Sequence, residues 1–318
     1  MDGFQDHGRN IEYAGDRSQE RGTAAEELVD RSHRRLAVPR ELTSLEELDV
    51  LYEEDRSAIW TFMRPSGRPS FTPHMLGDFE RWQDLIGQNF GPDKVPLRYL
   101  LLGSRAPGVF CFGGDLELFA QLIERGDRDG LRHYGYRCVR ILERNIRALD
   151  LPLITIGLVQ GQALGGGFEA LLSFDFIIAE KSATFGLPEI MFGLFPGMGA
   201  HAILTRKLGA AMADRLILSQ ETWSAERMYE LGLVHQLAED GEGIEAAKEF
   251  MAKSERKHSG LVASKKATRI ASPTQLSELC QIVDVWADAA LELSPTDLKL
   301  MKRLASAQTR LVDKARVA

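Results

Sequence analysis

The chain has 318 residues, of which 44% are hydrophobic and 27% charged, with a formal net charge of −7. Those values describe a globular protein of one large or two ordinary domains, and they exclude a disordered or fibrous chain. The acidic balance, with no basic surface tail, also argues against general nucleic-acid binding.

The opening stretch MDGFQDHGRNIEYAGDRSQERG carries charges throughout and no apolar core, so it is not a secretory signal. Residues 1–42 are expected to form a charged, mobile extension with a helix around 23–37. The segments 48–54 and 57–63 are predicted strands joined by a short turn, followed by a turn-rich loop (65–73) and a helix over 74–91. A short apolar strand at 97–104 precedes a helix that Asp115 can cap, packing Leu118, Phe119, Leu122 and Ile123. A longer helix is expected over about 130–149, with Tyr134, Cys138, Ile141, Leu142 and Leu149 along one side.

Next come a strand at 153–159, a glycine turn, a helix starting near Gly167, and short strands at 174–180 and 183–189. This alternation is an α/β rhythm. From about residue 200 the pattern turns helical, with a Ser-capped helix in 224–234 closed by Gly232 and another opening at Ser294-Pro295. Residues 151–168 are uncharged, but Pro152 and five glycines interrupt them, so no membrane insertion is expected. Cys111, Cys138 and Cys280 show no CxxC spacing and are expected to be small buried hydrophobes in a reducing, cytoplasmic setting.

Three stretches carry the chemistry: CFGGDL (111–116), ALGGGFEA (163–170) and FGLPEIMFGLFPGMG (185–199). Taken singly, a strand–GG–helix turn is ordinary structural punctuation. Taken together they supply two turns whose backbone N–H groups, aimed at one point, would hold a developing oxyanion, glycine allowing a carbonyl to come close. Glu169 and Glu189 stand among apolar residues, where desolvation can separate two carboxyl pKa values for acid–base work. The same sequence also permits both to be surface or capping glutamates. No HxxxH, HExxH, GxSxG or GxxxxGK[ST] occurs, and GMGAHA lacks the third glycine of a dinucleotide fingerprint. Neither a metal nor a redox cofactor is expected, and His133, His201 and His235 are expected to be packing or surface residues.

These motifs, with QGQALGGGFEALLSFDFIIA, ATFGLPEIMFGLFPG and SAERMYELGLV in this order and spacing, resemble the crotonase (enoyl-CoA hydratase/isomerase) superfamily over roughly residues 48–310. The resemblance implies an α/β spiral of ββα repeats over 43–235 and a C-terminal helical region over 236–318 used in trimerisation. It implies an oxyanion hole from the amides of Gly114 (with Gly113 possible) and Gly166, and two catalytic glutamates, Glu169 and Glu189. Possession of both favours adding or removing water across C2–C3.

A narrower likeness, in GGDLELFAQLIERGDRDGLRHYGYRCVR, VQGQALGGGFEA and LFPGMGA, is to the diffusible signal factor synthases of bacterial quorum sensing. It implies dehydration of a 3-hydroxyacyl chain on acyl carrier protein (or coenzyme A) to the cis-2-enoyl form, followed by thioester hydrolysis. Glu189 would serve C2 and Glu169 the 3-hydroxyl. Trp286, Leu304 and Met198 would line the acyl-chain pocket, although ordinary core packing suits them equally. A homotrimer or dimer of trimers and a signalling sensor partner are further implications. Two features depart from the pattern: the charged extension, and Phe168 where many hydratases carry a smaller residue. The rival functions are a plain enoyl-CoA hydratase of fatty-acid degradation, an isomerase using one glutamate, and a non-catalytic acyl-thioester-binding or scaffold protein.

Overall fold

The structure, a computed structural model, describes residues 38–317, with side chains as far as Arg310. The helix expected around 23–37, and the charged extension apart from its last five residues, lie outside the described residues. Arg40–Thr43 forms a 3-10 turn whose Leu42 is fully buried in the main core.

Strands β1 (Leu48–Glu53) and β2 (Ala58–Met63) pair antiparallel, Leu48 opposite Met63. Helix α1 (Pro73–Asn89) follows, its cap Thr72 accepting the Met75 N–H at 3.1 Å, with Pro73 at the first position where an N–H is not needed.

The chain then repeats one pattern: a strand in a large sheet, a three-residue strand in a small sheet, then a helical segment. The first pass is β3 (Tyr99–Ser104), β4 (Val109–Cys111) and α2 (Leu116–Glu124), the last capped by Asp115, which accepts the Leu118 N–H at 3.2 Å. Helix α3 (Arg128–Ile146) leads into the second pass, β5 (Ile154–Val159), β6 (Gln162–Leu164) and α4 (Gly166–Leu171). The third is β7 (Phe176–Glu180), β8 (Thr184–Gly186) and a 3-10 turn, Pro188–Phe192. After α5 (Ala200–Leu208) and α6 (Ala210–Leu218) come β9 (Thr222–Ser224), α7 (Ala225–Glu230) and β10 (Gln236–Ala238). Helices α8 (Gly243–Ser254), α9 (His258–Ala271), α10 (Leu276–Leu291) and α11 (Pro295–Val317) complete the chain. This is the expected α/β spiral of ββα units with a helical C-terminal region.

The large sheet has strand order β1-β2-β3-β5-β7-β10 and the small one β4-β6-β8-β9. Every residue of β2 and β5 is buried, because the large sheet is covered on both faces. Ile156, Leu158 and Ile178 pack on one side against Ala247 and Met251 of α8, and Leu100, Leu102 and Val159 join the main core on the other. No helix among the described residues is long and apolar enough to cross a membrane.

Two local expectations need correction. Helix α3 stops at Ile146, because Ala148, Leu149 and Asp150 take φ of 53°, 53° and 57° and turn the chain into a left-handed run. Leu149 therefore reaches the core from that turn and not from a helix face. Strand β8 ends at Gly186, so Glu189 sits in a 3-10 turn beyond the strand.

Candidate active site

The small sheet assembles the site. Parallel pairing sets Val109 opposite Gln162 and Cys111 opposite Ala163, so the glycine turns after β4 and β6 emerge side by side. Strand β8 pairs next to β6, Leu164 opposite Gly186, and the Gly165 N–H donates to Gly186 O at 2.8 Å. Three residues past Gly186 is Glu189; one helical turn past Gly166 is Glu169. Residues distant in sequence are thus brought to one sheet end by register alone.

The glycines are demanded by close approach. A Cβ on Gly113, which has φ of 91°, would lie 2.5 Å from the Gly166 nitrogen. At Gly166 it would meet Met198 Sδ at 2.6 Å and the Gly114 nitrogen at 3.4 Å. Among the described residues the Gly113 N–H is taken, donating to Cys111 Sγ at 3.3 Å, and the Asp115 N–H donates to Tyr134 Oη at 3.3 Å. The N–H groups of Gly114 and Gly166, between and beside them, have no acceptor within the described protein. Two unspent donors on adjacent turns are suited to one carbonyl oxygen.

Glu169 is 1% exposed, and its Oε1 accepts the backbone N–H groups of Met198 and Ala200, each at 2.9 Å. Burial pushes its carboxyl up to about 7, with the amides of Ala200, Met198 and Gly199 pulling the other way. Glu189 Oε2 is buried with no hydrogen-bond partner. Burial first, and then the charge of Glu169, pushes the Glu189 carboxyl up to about 8. Both carboxyls are thus held well above the ordinary carboxylate range, chiefly by burial, which favours their neutral forms.

A narrow cleft of about 600 Å³, its open mouth included, is lined by Gly114, Gly166, Glu169, Glu189, Met198, Trp286 and Leu304 together. Of the residues expected to serve as oxyanion donors, acid–base groups or acyl-pocket walls, all but Gly113 line it, and the Gly113 amide is occupied. Trp286 rests on the backbone of Gly197, where a Cβ would fall 2.5 Å from its ring. Its ring meets Phe119 edge-on at 5.0 Å, and Phe119 meets Tyr134 at 4.9 Å, giving one aromatic wall. Phe168 points away, packed edge-on against Phe185 at 5.4 Å, and does not line the cleft. Sequence reasoning did not assign Phe112, Phe119, Tyr134, Phe192, Leu194 or Gln308 to the cleft. Phe119 and Tyr134 were legible only as apolar helix faces, and Gln308, 4% exposed on α11, gave no signal.

The arrangement can polarise an acyl carbonyl at two amides while paired carboxyls exchange protons beside it. Comparison with known proteins points the same way. The family model described as enoyl-CoA hydratase/isomerase matches residues 91–282. The short-chain-enoyl-CoA hydratase of Clostridium acetobutylicum is 30% identical over 201 residues, 63% of this chain and 72% of that one. The probable enoyl-CoA hydratase 2, mitochondrial, of Arabidopsis thaliana is 32% identical over 225 residues, 68% of this chain and 70% of that one. Among solved structures, that of Pseudomonas aeruginosa DspI aligns with a TM-score of 0.62 at 26% identity, covering 73% of this chain and 90% of that one. An enoyl-CoA hydratase/isomerase from Xanthobacter autotrophicus Py2 shares the fold, with a TM-score of 0.68 at 21% identity over 86% of this chain and 98% of that one.

Proposed function

The chain belongs to the enoyl-CoA hydratase/isomerase (crotonase) family, and from that premise we propose that it makes a cis-2-unsaturated fatty acid signal of the diffusible signal factor type. It would dehydrate a 3-hydroxyacyl chain on acyl carrier protein and then hydrolyse the thioester, acting as a lyase and a thioesterase. The observation that carries this proposal is the convergence of the unspent Gly114 and Gly166 amides with the Glu169 and Glu189 carboxyls at one apolar cleft.

In the first half-reaction the thioester oxygen accepts both amide N–H groups, so removing a C2 proton leaves an enolate whose charge rests on that oxygen. Glu189 takes the C2 proton and Glu169, protonated, donates to the departing 3-hydroxyl; the C3–O bond breaks, C2=C3 forms, and water leaves. With Glu189 protonated and Glu169 ionised instead, the same pair is set to add water, so the two protonation patterns correspond to the two directions of one reaction. In the second half-reaction, a water deprotonated by a glutamate attacks the carbonyl carbon. The tetrahedral oxyanion sits on the same two amides, the C–S bond breaks, and the carrier thiol departs with a proton. The chemistry uses the thioester carbonyl as its electron sink and calls on no metal or redox cofactor.

The motif likeness of residues 113–140 and 159–170 to the signal synthases supports this function. The identity to curated enoyl-CoA hydratases supports a second one, hydration of trans-2-enoyl-CoA without release of free acid. Purified protein given 3-hydroxyacyl chains on carrier protein and on coenzyme A, with products read by mass spectrometry, separates them. Free cis-2-enoic acid, lost in Glu169→Gln and Glu189→Gln, is the expected result; enoyl thioester in exchange with the 3-hydroxy form, and no free acid, would favour the plain hydratase. Turnover unaffected by both substitutions would favour a binding or scaffold role. A homotrimer or dimer of trimers, expected from the family, is read by light scattering.

A further inference from the structure

Behind the cleft lies a second, small and apolar cavity between α1, α3 and α4. Its walls include Leu76, Phe79, Trp82, Leu142 and Phe174, all buried and apolar. Met198 borders both spaces, and its Sδ lies beside Gly166, one of the two amides proposed to hold the thioester oxygen. The backbone of Met198 is fixed, since its N–H is held by Glu169 at 2.9 Å, while its buried side chain is an unbranched thioether of the kind that adapts to its surroundings. A fixed stem with a pliable thioether between two apolar spaces has the form of a partition that can be moved.

The far side of this cavity is different. Gln83 and Asn145, 1% and 4% exposed, line it and are anchored through their NH₂ groups, Gln83 to Ile141 O at 2.9 Å and Asn145 to Ser173 Oγ at 2.8 Å. Their amide oxygens are buried without partners. An alkyl end pressed against two unsatisfied carbonyl oxygens gains no further apolar contact, so these residues close the chamber.

We propose that this cavity receives the distal carbons of the acyl chain, that Met198 is the movable partition admitting them, and that Gln83 and Asn145 set the upper limit of length. The proposal rests on the acyl-thioester function above and names its substrate class: chains long enough to pass Met198, not short ones. Each methylene seated in an apolar chamber raises affinity by about fourfold, so the length profile should climb and then stop.

The test uses the full chain and S-alkyl thioethers of coenzyme A, from butyl to hexadecyl, whose binding is read by calorimetry without turnover. The variants are Leu142→Phe and Leu76→Phe, which fill the chamber from different helices, and Met198→Ala, which removes the partition. With melting temperature as a check on folding, the fillers should leave butyl binding unchanged and weaken the longer chains by about tenfold or more, as about two methylenes are displaced. Met198→Ala should shift the preference toward longer chains. Fillers that fold and weaken every length equally, or none, overturn the chamber; if both fail to fold, an unshifted profile in Met198→Ala overturns it. Binding with the expected profile but no turnover of 3-hydroxyacyl thioesters would count against the catalytic proposal alone.

Discussion

Glu169 Oε1 holds the Met198 N–H and the Ala200 N–H at 2.9 Å each, so one carboxylate both faces the cleft and fastens the loop that carries the cleft's movable wall. Chemistry and architecture therefore separate by substitution. Glu169→Gln retains a carbonyl oxygen for both amides and should keep the fold while lowering kcat by about 10²–10⁴, the usual worth of a general acid–base group. Glu169→Ala leaves two buried N–H groups unpaired and should in addition cost roughly 1–3 kcal/mol for each. Steady-state kinetics beside urea unfolding tests this; equal stability of the two variants would sink the fastening role.

A second expectation concerns pH. The Glu189 carboxyl lies above its ordinary value of 4.5, at about 8 in the folded protein, because burial and then the charge of Glu169 disfavour ionisation. Between those two values the folded state binds more protons than the unfolded state, so stability falls as pH rises through that window and is flat outside it. Glu189→Gln has no such proton to lose. Its stability should match the parent near the lower end of the window and exceed it by several kcal/mol above the upper end. Denaturation midpoints measured for both proteins across the range would show parallel lines if the carboxyl were ordinary.

Why was so much of this site legible in the chain? Each catalytic candidate lies within a few residues of a strand end, in a contiguous motif, and β4, β6 and β8 then bring the motifs together by parallel register. The strands themselves were harder to read. Three-residue elements such as β4 and β6 are too short to display alternation, and β6 merges with the glycine run that follows it. The end of α3 was overrun because Leu149 satisfies helical spacing, while the left-handed turn at 148–150 contains no glycine or proline to announce it. The back chamber had no sequence signature at all. Its walls come from three helices, and Gln83 and Asn145 look like ordinary polar positions until packing buries them.

The oxyanion proposal is tested at Gly166. Alanine there would put its Cβ 2.6 Å from Met198 Sδ, a flexible end that can yield, so the fold should survive. The displaced thioether would crowd the carbonyl site, and kcat/KM should fall by about 10²–10³, comparable to losing one oxyanion donor. Gly113→Ala behaves differently: with φ of 91° and a Cβ 2.5 Å from the Gly166 nitrogen, it should show first as lost thermal stability. Activity of Gly166→Ala within about twofold of the parent would remove that amide from the mechanism.

The turn that carries Gly114 is held from outside the cleft by Arg68. Its side chain is only 7% exposed, and Nη2 lies 3.1 Å from Asp115 Oδ1, the same oxygen that caps α2 through the Leu118 N–H. Arg68→Met keeps the volume and the cap but strands a largely buried carboxylate, which should cost about 1–3 kcal/mol after allowing for the partial exposure of Asp115. Asp115→Asn keeps the cap and loses the charge, leaving Arg68 only Glu117, whose Oε1 lies 3.5 Å from Nη1, as a carboxylate partner. If the pair is what fixes the turn, the double variant should lose less than the two single losses added, with a coupling of about 1–2 kcal/mol. Because Gly114 immediately precedes Asp115 and Arg68 does not line the cleft, Arg68→Met should lower kcat more than it raises KM for the thioester. A variant that is destabilised but turns over normally would confine Arg68 to holding up the fold.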